Sequence, residues 1–145
     1  MRVEKIHLGA AQTPELWQVD TVSAVAGKGL EGDRHFRETG AKPGQALTLV
    51  EQDVVEDVGL QPGDTRRQLT VSGAGSTGAA LNDLVGKRFR VGSVECYGVE
   101  LCEPCDHLER MTRPGIIKDL VHRGGINADI LTDGVISVGD EITEL

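Results

Sequence analysis

Glycine punctuates this chain: nineteen residues out of 145 recur between short runs in which valine and leucine carry most of the apolar content. A residue that takes positive φ without penalty allows sharp reversals and weakens long helices, so many tight turns between short strands are expected. The aromatic complement is two phenylalanines, one tyrosine and one tryptophan, so small branched side chains must fill the core. The expected fold is mainly β with a few short helices, as a closed or nearly closed barrel of about seven strands. An open sheet this small would leave two long unpaired edges. At 145 residues the chain reads as a single domain over 1–145, large enough to bury a core without disulfides or a structural metal.

Local patterns place the elements. Val3 to Leu8 and Val19 to Ala26 read as strands, followed by a glycine-bounded turn from Gly27 to His35 and a long polar loop to Pro43-Gly44. Gln45 to Val50 is a strand; Val50, Val54, Val55 and Val58 then share one helical face before Gly59. Pro62-Gly63-Asp64 turns the chain into a strand from Arg66 to Val71. Phe89 and Val91 alternate with Arg88 and Arg90, Gly92-Ser93 turns, and Val94 to Leu101 completes a hairpin. Asp106 with Glu109 three residues on reads as a capping box, Pro114 opens a further helix ended by Gly124-Gly125, and strands are expected over 127–131 and 135–142.

A formal charge of −8 argues against general nucleic-acid or anionic-membrane binding, because no whole-molecule attraction to phosphate would exist. Met1 to Lys5 has no apolar leader region and no stretch approaches a membrane span, so a cytoplasmic location is expected. Three cysteines, an odd number, suit a reducing compartment better than a disulfide framework.

Gly73-Ala74-Gly75-Ser76-Thr77-Gly78 satisfies the G-x-G-x-x-G pattern after a predicted strand. A dinucleotide site also needs a full helix and a parallel strand after the glycines, and only Ala79 to Val85 precede Gly86. A glycine-rich loop is the simpler reading.

The densest chemistry lies in Cys102-Glu103-Pro104-Cys105-Asp106-His107. A thiol ligates a metal or attacks an electrophile as the thiolate, so nearby cations and a helix start favour it. Cys105, after a proline and one residue outside the expected helix, is the accessible candidate; Cys96, and to a lesser degree Cys102, suit packing. The alternative is a non-catalytic binding or scaffold domain whose Cys102, Cys105 and His107 hold zinc, with Cys96 as fourth ligand, or hold no metal, although strong zinc signatures pair two separated ligand doublets. Basic residues form a second constellation: Arg34 and His35, Arg66 and Arg67, then Lys118, His122 and Arg123. Each alone could pair with surface carboxylates; together they could line one anion pocket.

Taken in order, Gly29-Leu30-Glu31-Gly32-Asp33-Arg34-His35, Arg66-Arg67-Gln68-Leu69-Thr70-Val71, Leu84-Val85-Gly86-Lys87-Arg88-Phe89, Leu101-Cys102-Glu103-Pro104-Cys105, and Arg123-Gly124-Gly125 through Gly134-Val135-Ile136-Ser137-Val138-Gly139-Asp140 resemble the MOSC domain, the molybdenum-cofactor sulfurase C-terminal domain, in its small stand-alone form. The resemblance implies a β-barrel-like fold and a molybdenum cofactor (molybdopterin), an anionic pterin, held by Arg34, His35, Arg67 and Arg123. It implies that Cys105 is the functional residue, as sulfur carrier or as molybdenum ligand. The activity so implied is sulfur transfer, with a cysteine desulfurase as partner, or molybdenum-dependent reduction of N-hydroxylated compounds, with a separate electron-donor protein. The chain departs from the family at Gln68, where asparagine is more usual, and in the glycine-rich loop from Ser72 to Ala80.

Overall fold

A computed structural model describes residues 1–145. The chain runs β1 (Arg2–Gly9), β2 (Leu16–Val19), β3 (Thr21–Val25), β4 (Gly29–Leu30), β5 (Leu47–Glu51), α1 (Gln52–Asp57), β6 (Leu69–Ser72), α2 (Ala79–Asn82), β7 (Arg88–Val91), β8 (Val94–Leu101), α3 (Asp106–Met111), α4 (Ile116–Leu120), β9 (Ile126–Ile130), β10 (Gly134–Ser137) and β11 (Ile142–Glu144). Eight strands form one sheet in the order β11-β7-β8-β9-β5-β6-β1-β2, and β10-β3-β4 form a second.

The strand count exceeds the expected seven because β2 precedes the run expected over 19–26, the two-residue β4 forms inside the expected turn, and one predicted strand breaks and changes sheet. The run expected over 19–26 forms as β3 on β10, while Val19 ends β2 on β1 and Asp20 separates the two sheets. The run expected over 135–142 divides at Gly139, whose φ of 94° turns the chain between β10 and β11. The large sheet is mainly antiparallel and strongly curled, a half-barrel that is open and not closed. Its ends approach without forming a ladder: a single bridge joins Arg2 to Glu141, and Ile142 N–H donates to Met1 C=O at 2.9 Å.

Inside the curl sits a core that includes Ile6, Leu47, Leu49, Leu69, Phe89, Ile126 and Ile136. The hairpin of β7 and β8 follows the expected alternation: Phe89 and Val91 are buried while Arg88 and Arg90 face water. The one parallel pair, β5 with β6, requires a crossover, and α1 supplies it. The apolar stripe of that helix does not enter the main core alone. Val54 and Val58 pack with Leu108 of α3 and with Ile116 and Leu120 of α4, forming a second small core that holds these helices in place.

The capping box is not formed. Cys105 occupies the N-cap of α3 with no side-chain cap hydrogen bond. Glu109 instead accepts from Gly115 N–H and Ile117 N–H, both at 3.1 Å, and caps the next helix. A carboxylate one turn into a short helix reaches forward more easily when the following helix start lies beside it.

The glycine-rich loop is filled from within. Gly78 begins α2 in the left-handed conformation, and the buried carboxylate of Glu51 accepts from Gly78 N–H at 2.9 Å and Leu81 N–H at 3.0 Å. Those amides therefore serve a side chain of the protein itself. Burial raises the Glu51 carboxyl above its ordinary range, opposed by these same two hydrogen bonds. No helix is long and apolar enough to cross a membrane.

Candidate functional site: a cationic cavity beside Cys105

β8 and β9 form a hairpin whose ladder ends at Leu101 paired with Ile126, just before Cys102 N–H donates to Gly125 C=O at 2.8 Å. Between these points the chain makes an excursion through Cys105, α3 and α4. Arg67, on the approach to β6, fastens its base. Only 9% exposed, it donates through Nε to Gly124 C=O at 2.9 Å, through one terminal nitrogen to Thr65 C=O at 2.9 Å, and through the other to Cys102 C=O at 2.8 Å. Gly124 is required here: a Cβ would stand 2.6 Å from the Cys102 carbonyl oxygen.

Above this staple lies a cavity of about 520 Å³, walled by Arg34, His35, Gly44, Gln45, Thr48, Thr65, Arg66, Arg67, Cys102, Cys105, His107, Leu108 and Asn127. Four of the five residues assigned to the site from the sequence, Arg34, His35, Arg67 and Cys105, thus share one wall system with Arg66, Cys102 and His107, which the sequence also singled out. Arg123 does not join them. Its guanidinium pairs with Asp57 at 2.6 Å and lines a different surface recess with Lys118 and Asp119. Its neighbour Gly78 abuts it so closely that it serves to pack the glycine loop against the end of α4.

The cavity wall is strongly cationic. Arg34 contacts Asp33 at 3.4 Å and donates to Arg66 C=O at 3.3 Å. Arg66 holds a left-handed backbone, φ 64°, which is why β6 begins at Leu69 and not at Arg66 as expected. Neither Arg66 nor Arg67 pairs with a carboxylate; their donors go to main-chain oxygens. Burial, and then Arg34, hold Arg66 below its usual value. Asp33 is the one buried carboxylate beside them, and it is already committed. It accepts from Gly9 N–H at 2.9 Å, His35 N–H at 3.1 Å and Gln68 Nε2 at 2.7 Å.

Gln68, the departure from the family pattern, bridges β5 to this acid: its Oε1 accepts from Thr48 N–H at 2.9 Å while its amide nitrogen serves Asp33. Desolvation, with the positive field of Arg34 added, holds His35 below the ordinary imidazole value, so it presents a neutral ring at neutral pH.

The three cysteines separate by environment. Cys96 is fully buried in the main core, and burial pushes its thiol up to about 12. Cys102 is not in the core, as its place at a strand end implied; it lines the cavity. Burial raises its thiol while Arg67 pulls in the opposite direction. Cys105 is exposed and unpaired. No group of three or more His, Cys, Asp or Glu side chains is arranged to hold a metal ion, so zinc on Cys102, Cys105 and His107 finds no preformed ligand set.

Thr48, Gln45 and Asn127 were missed, since nothing in a single polar residue of a β-rich sequence marks it as cavity-facing. Arg66, singled out with Arg67 as a candidate for one anion pocket, does line the cavity.

The site is thus a curled β half-barrel carrying a cationic cavity with the exposed thiol of Cys105 in its wall. The chain belongs to the MOSC domain family, whose model matches residues 36–143, and that family is associated with the molybdenum cofactor. Among solved structures it is similar to the YuaD protein from Bacillus subtilis, at 18% identity and TM-score 0.78 over 97% of this chain and 93% of that one. It is also similar to YiiM from Geobacillus stearothermophilus, at 18% identity and TM-score 0.69 over 99% of this chain and 74% of the other. YiiM from Escherichia coli aligns at 17% identity and TM-score 0.64 over 100% and 70%. At these identities the likeness is one of fold. No curated protein sequence matches the chain significantly.

Proposed function

We propose that this protein binds a molybdopterin-type cofactor in the cavity beside Cys105, with that thiolate as molybdenum ligand or sulfur carrier. One observation supports the reading: three guanidinium groups, Arg34, Arg66 and Arg67, line the same cavity as the exposed thiol, and the buried carboxylate beside Arg34, Asp33, is already committed to other donors. In a chain of charge −8, such a local excess of cations is a site for an anion.

The donor set fits a phosphorylated pterin. A guanidinium has five N–H donors. Arg67 spends at least three on carbonyls and Arg66 one on Pro14 C=O, which leaves N–H groups for phosphate oxygens. Neutral His35, Thr48, Gln45 and Asn127 supply donors and acceptors suited to the edge of a pterin ring. A soft thiolate suits both molybdenum and persulfide sulfur. When bound, the cofactor would supply two-electron redox chemistry at molybdenum; the protein orients it and limits its contact with water. A reductase of N-hydroxylated compounds would take electrons from a separate donor protein, and a sulfur carrier would take sulfur from a cysteine desulfurase.

The test is elemental and pterin analysis of protein purified from a host able to make the cofactor. About one molybdenum and one pterin per chain are expected, with molybdenum lost in Cys105→Ser and pterin lost in the double variant Arg34→Ala/Arg66→Ala. Stoichiometric zinc with no pterin fluorescence after acid oxidation would overturn the reading.

A further inference from the structure

A second cavity, of about 420 Å³, opens on the other side of Arg66, so that this one residue lines both. Its volume falls in the range of small-molecule sites, about 300–1,000 Å³. Leu16, Leu60 and Met111 supply apolar wall, Arg66 and Asp64 supply charge, and His7 closes one side. Three observations distinguish it from a surface dent. His7 is 5% exposed and its Nδ1 has no hydrogen-bond partner, and an orphaned buried nitrogen calls for an explanation. Gly63, at φ 96°, gives way to the imidazole, since a Cβ there would stand 2.8 Å from Nε2. Arg66, in a conformation uncommon for a side-chain-bearing residue, is tethered across the cavity edge by donation to Pro14 C=O at 2.7 Å. Such outliers persist where surrounding structure holds them in place.

We infer that this cavity is a second binding compartment for a small neutral molecule with an apolar body and an amide-type edge, seated between Arg66 and Asp64. Arg66 can only donate, and Asp64, whose Oδ2 accepts from Gln61 N–H at 2.9 Å, offers its other carboxylate oxygen as an acceptor. A group that accepts and donates side by side satisfies both. A carboxylate would face Asp64, and an ammonium would face Arg66 with Arg34 behind it. Leu16, Leu60 and Met111 take the apolar body. The shared wall places the bound molecule next to the cavity of Cys105; that it is acted on there rests on the proposed function, whereas the binding does not.

The test uses cofactor-free full-length protein and three one-ring probes: benzamide, benzoate and benzylamine. Amide resonances are followed by ¹H–¹⁵N correlation spectroscopy. Benzamide is expected to shift Gly63, Arg66 and Met111, with affinity about tenfold above either charged probe, the size of one hydrogen bond (about 1.4 kcal/mol). Met111→Trp, at a position 40% exposed and away from both cores, should fill the compartment and abolish those shifts while the rest of the spectrum stays folded. Equal affinities for the three probes, no response at these residues, or unchanged binding by Met111→Trp overturns the inference. Molybdenum and pterin retention measured on holoprotein of the same variant reads the proposed function separately.

Discussion

Replacing Arg67 by methionine isolates the staple at the base of the Cys105 excursion. Methionine roughly matches the apolar stem and removes the guanidinium, stranding the carbonyls of Thr65, Cys102 and Gly124, which now receive bonds of 2.9, 2.8 and 2.9 Å. Hydrogen bonds from a charged donor contribute about 1.5–3 kcal/mol each, for a gross loss of about 4–9 kcal/mol. Two effects offset this. The buried cation has no carboxylate partner, so removing it recovers part of its desolvation cost. The Cys102 carbonyl also lies beside a cavity that admits water. Because Arg67 still faces that cavity, its desolvation is partial and the lost bonds win, giving a net cost of about 3 kcal/mol. For a domain of this size that is about 10 °C in melting temperature. Urea unfolding with hydrogen exchange resolved by peptide provides the assay, and protection should fall first across residues 103–124. Arg67→Lys should recover less than half, since one ammonium cannot serve three separated carbonyls. A cost below about 1 kcal/mol, or a loss of protection spread evenly over β1 to β6, would refute the staple.

Three other outcomes are expected. Glu51→Gln should gain on the wild type as pH rises: the raised carboxyl makes Glu51 favour folding most below its unfolded value of 4.5 and lose that contribution as pH climbs through the folded one. Urea midpoints at pH 4 and pH 7 check this, and a change in the opposite direction contradicts it. Iodoacetamide should label Cys105 long before Cys96, the core thiol pushed up to about 12; mass mapping that finds equal rates refutes the assignment. Gly125→Ala should not yield folded protein, because a Cβ would strike the Leu49 carbonyl oxygen in a backbone held at φ 96°; circular dichroism of the purified variant decides it, at an expected cost above about 4 kcal/mol.

The sequence disclosed what depends on local alternation. Phe89 and Val91 against Arg88 and Arg90 defined a hairpin because one face of it is core. It hid what depends on distant partners. Nothing local marks Asp20 as the point where the chain leaves one sheet for another, and Glu109 fits a capping box equally well whether it bonds back to its own helix or forward to the next. The same distinction runs through the site. Arg34, His35, Arg67 and Cys105 were legible as chemistry, and the fold gathered them. Arg123 looked equivalent but was drawn to Asp57, 66 residues away in sequence. Cys102, read as a packing residue, became cavity wall because Arg67 holds its carbonyl and leaves its thiol at the boundary.

The ladder of β8 and β9 closes beneath the excursion that carries Cys105. The arginines sit on the barrel and its loops, and the thiol sits on a unit grafted between two strands that would pair without it. In evolutionary terms the excursion is a separable inheritance: it can be lengthened or shortened with the register of the sheet unchanged, and because Cys102, Cys105, His107 and Leu108 wall the cavity, each such change reshapes the cavity as well. A fold so divided can keep its arginines and vary the wall that faces them.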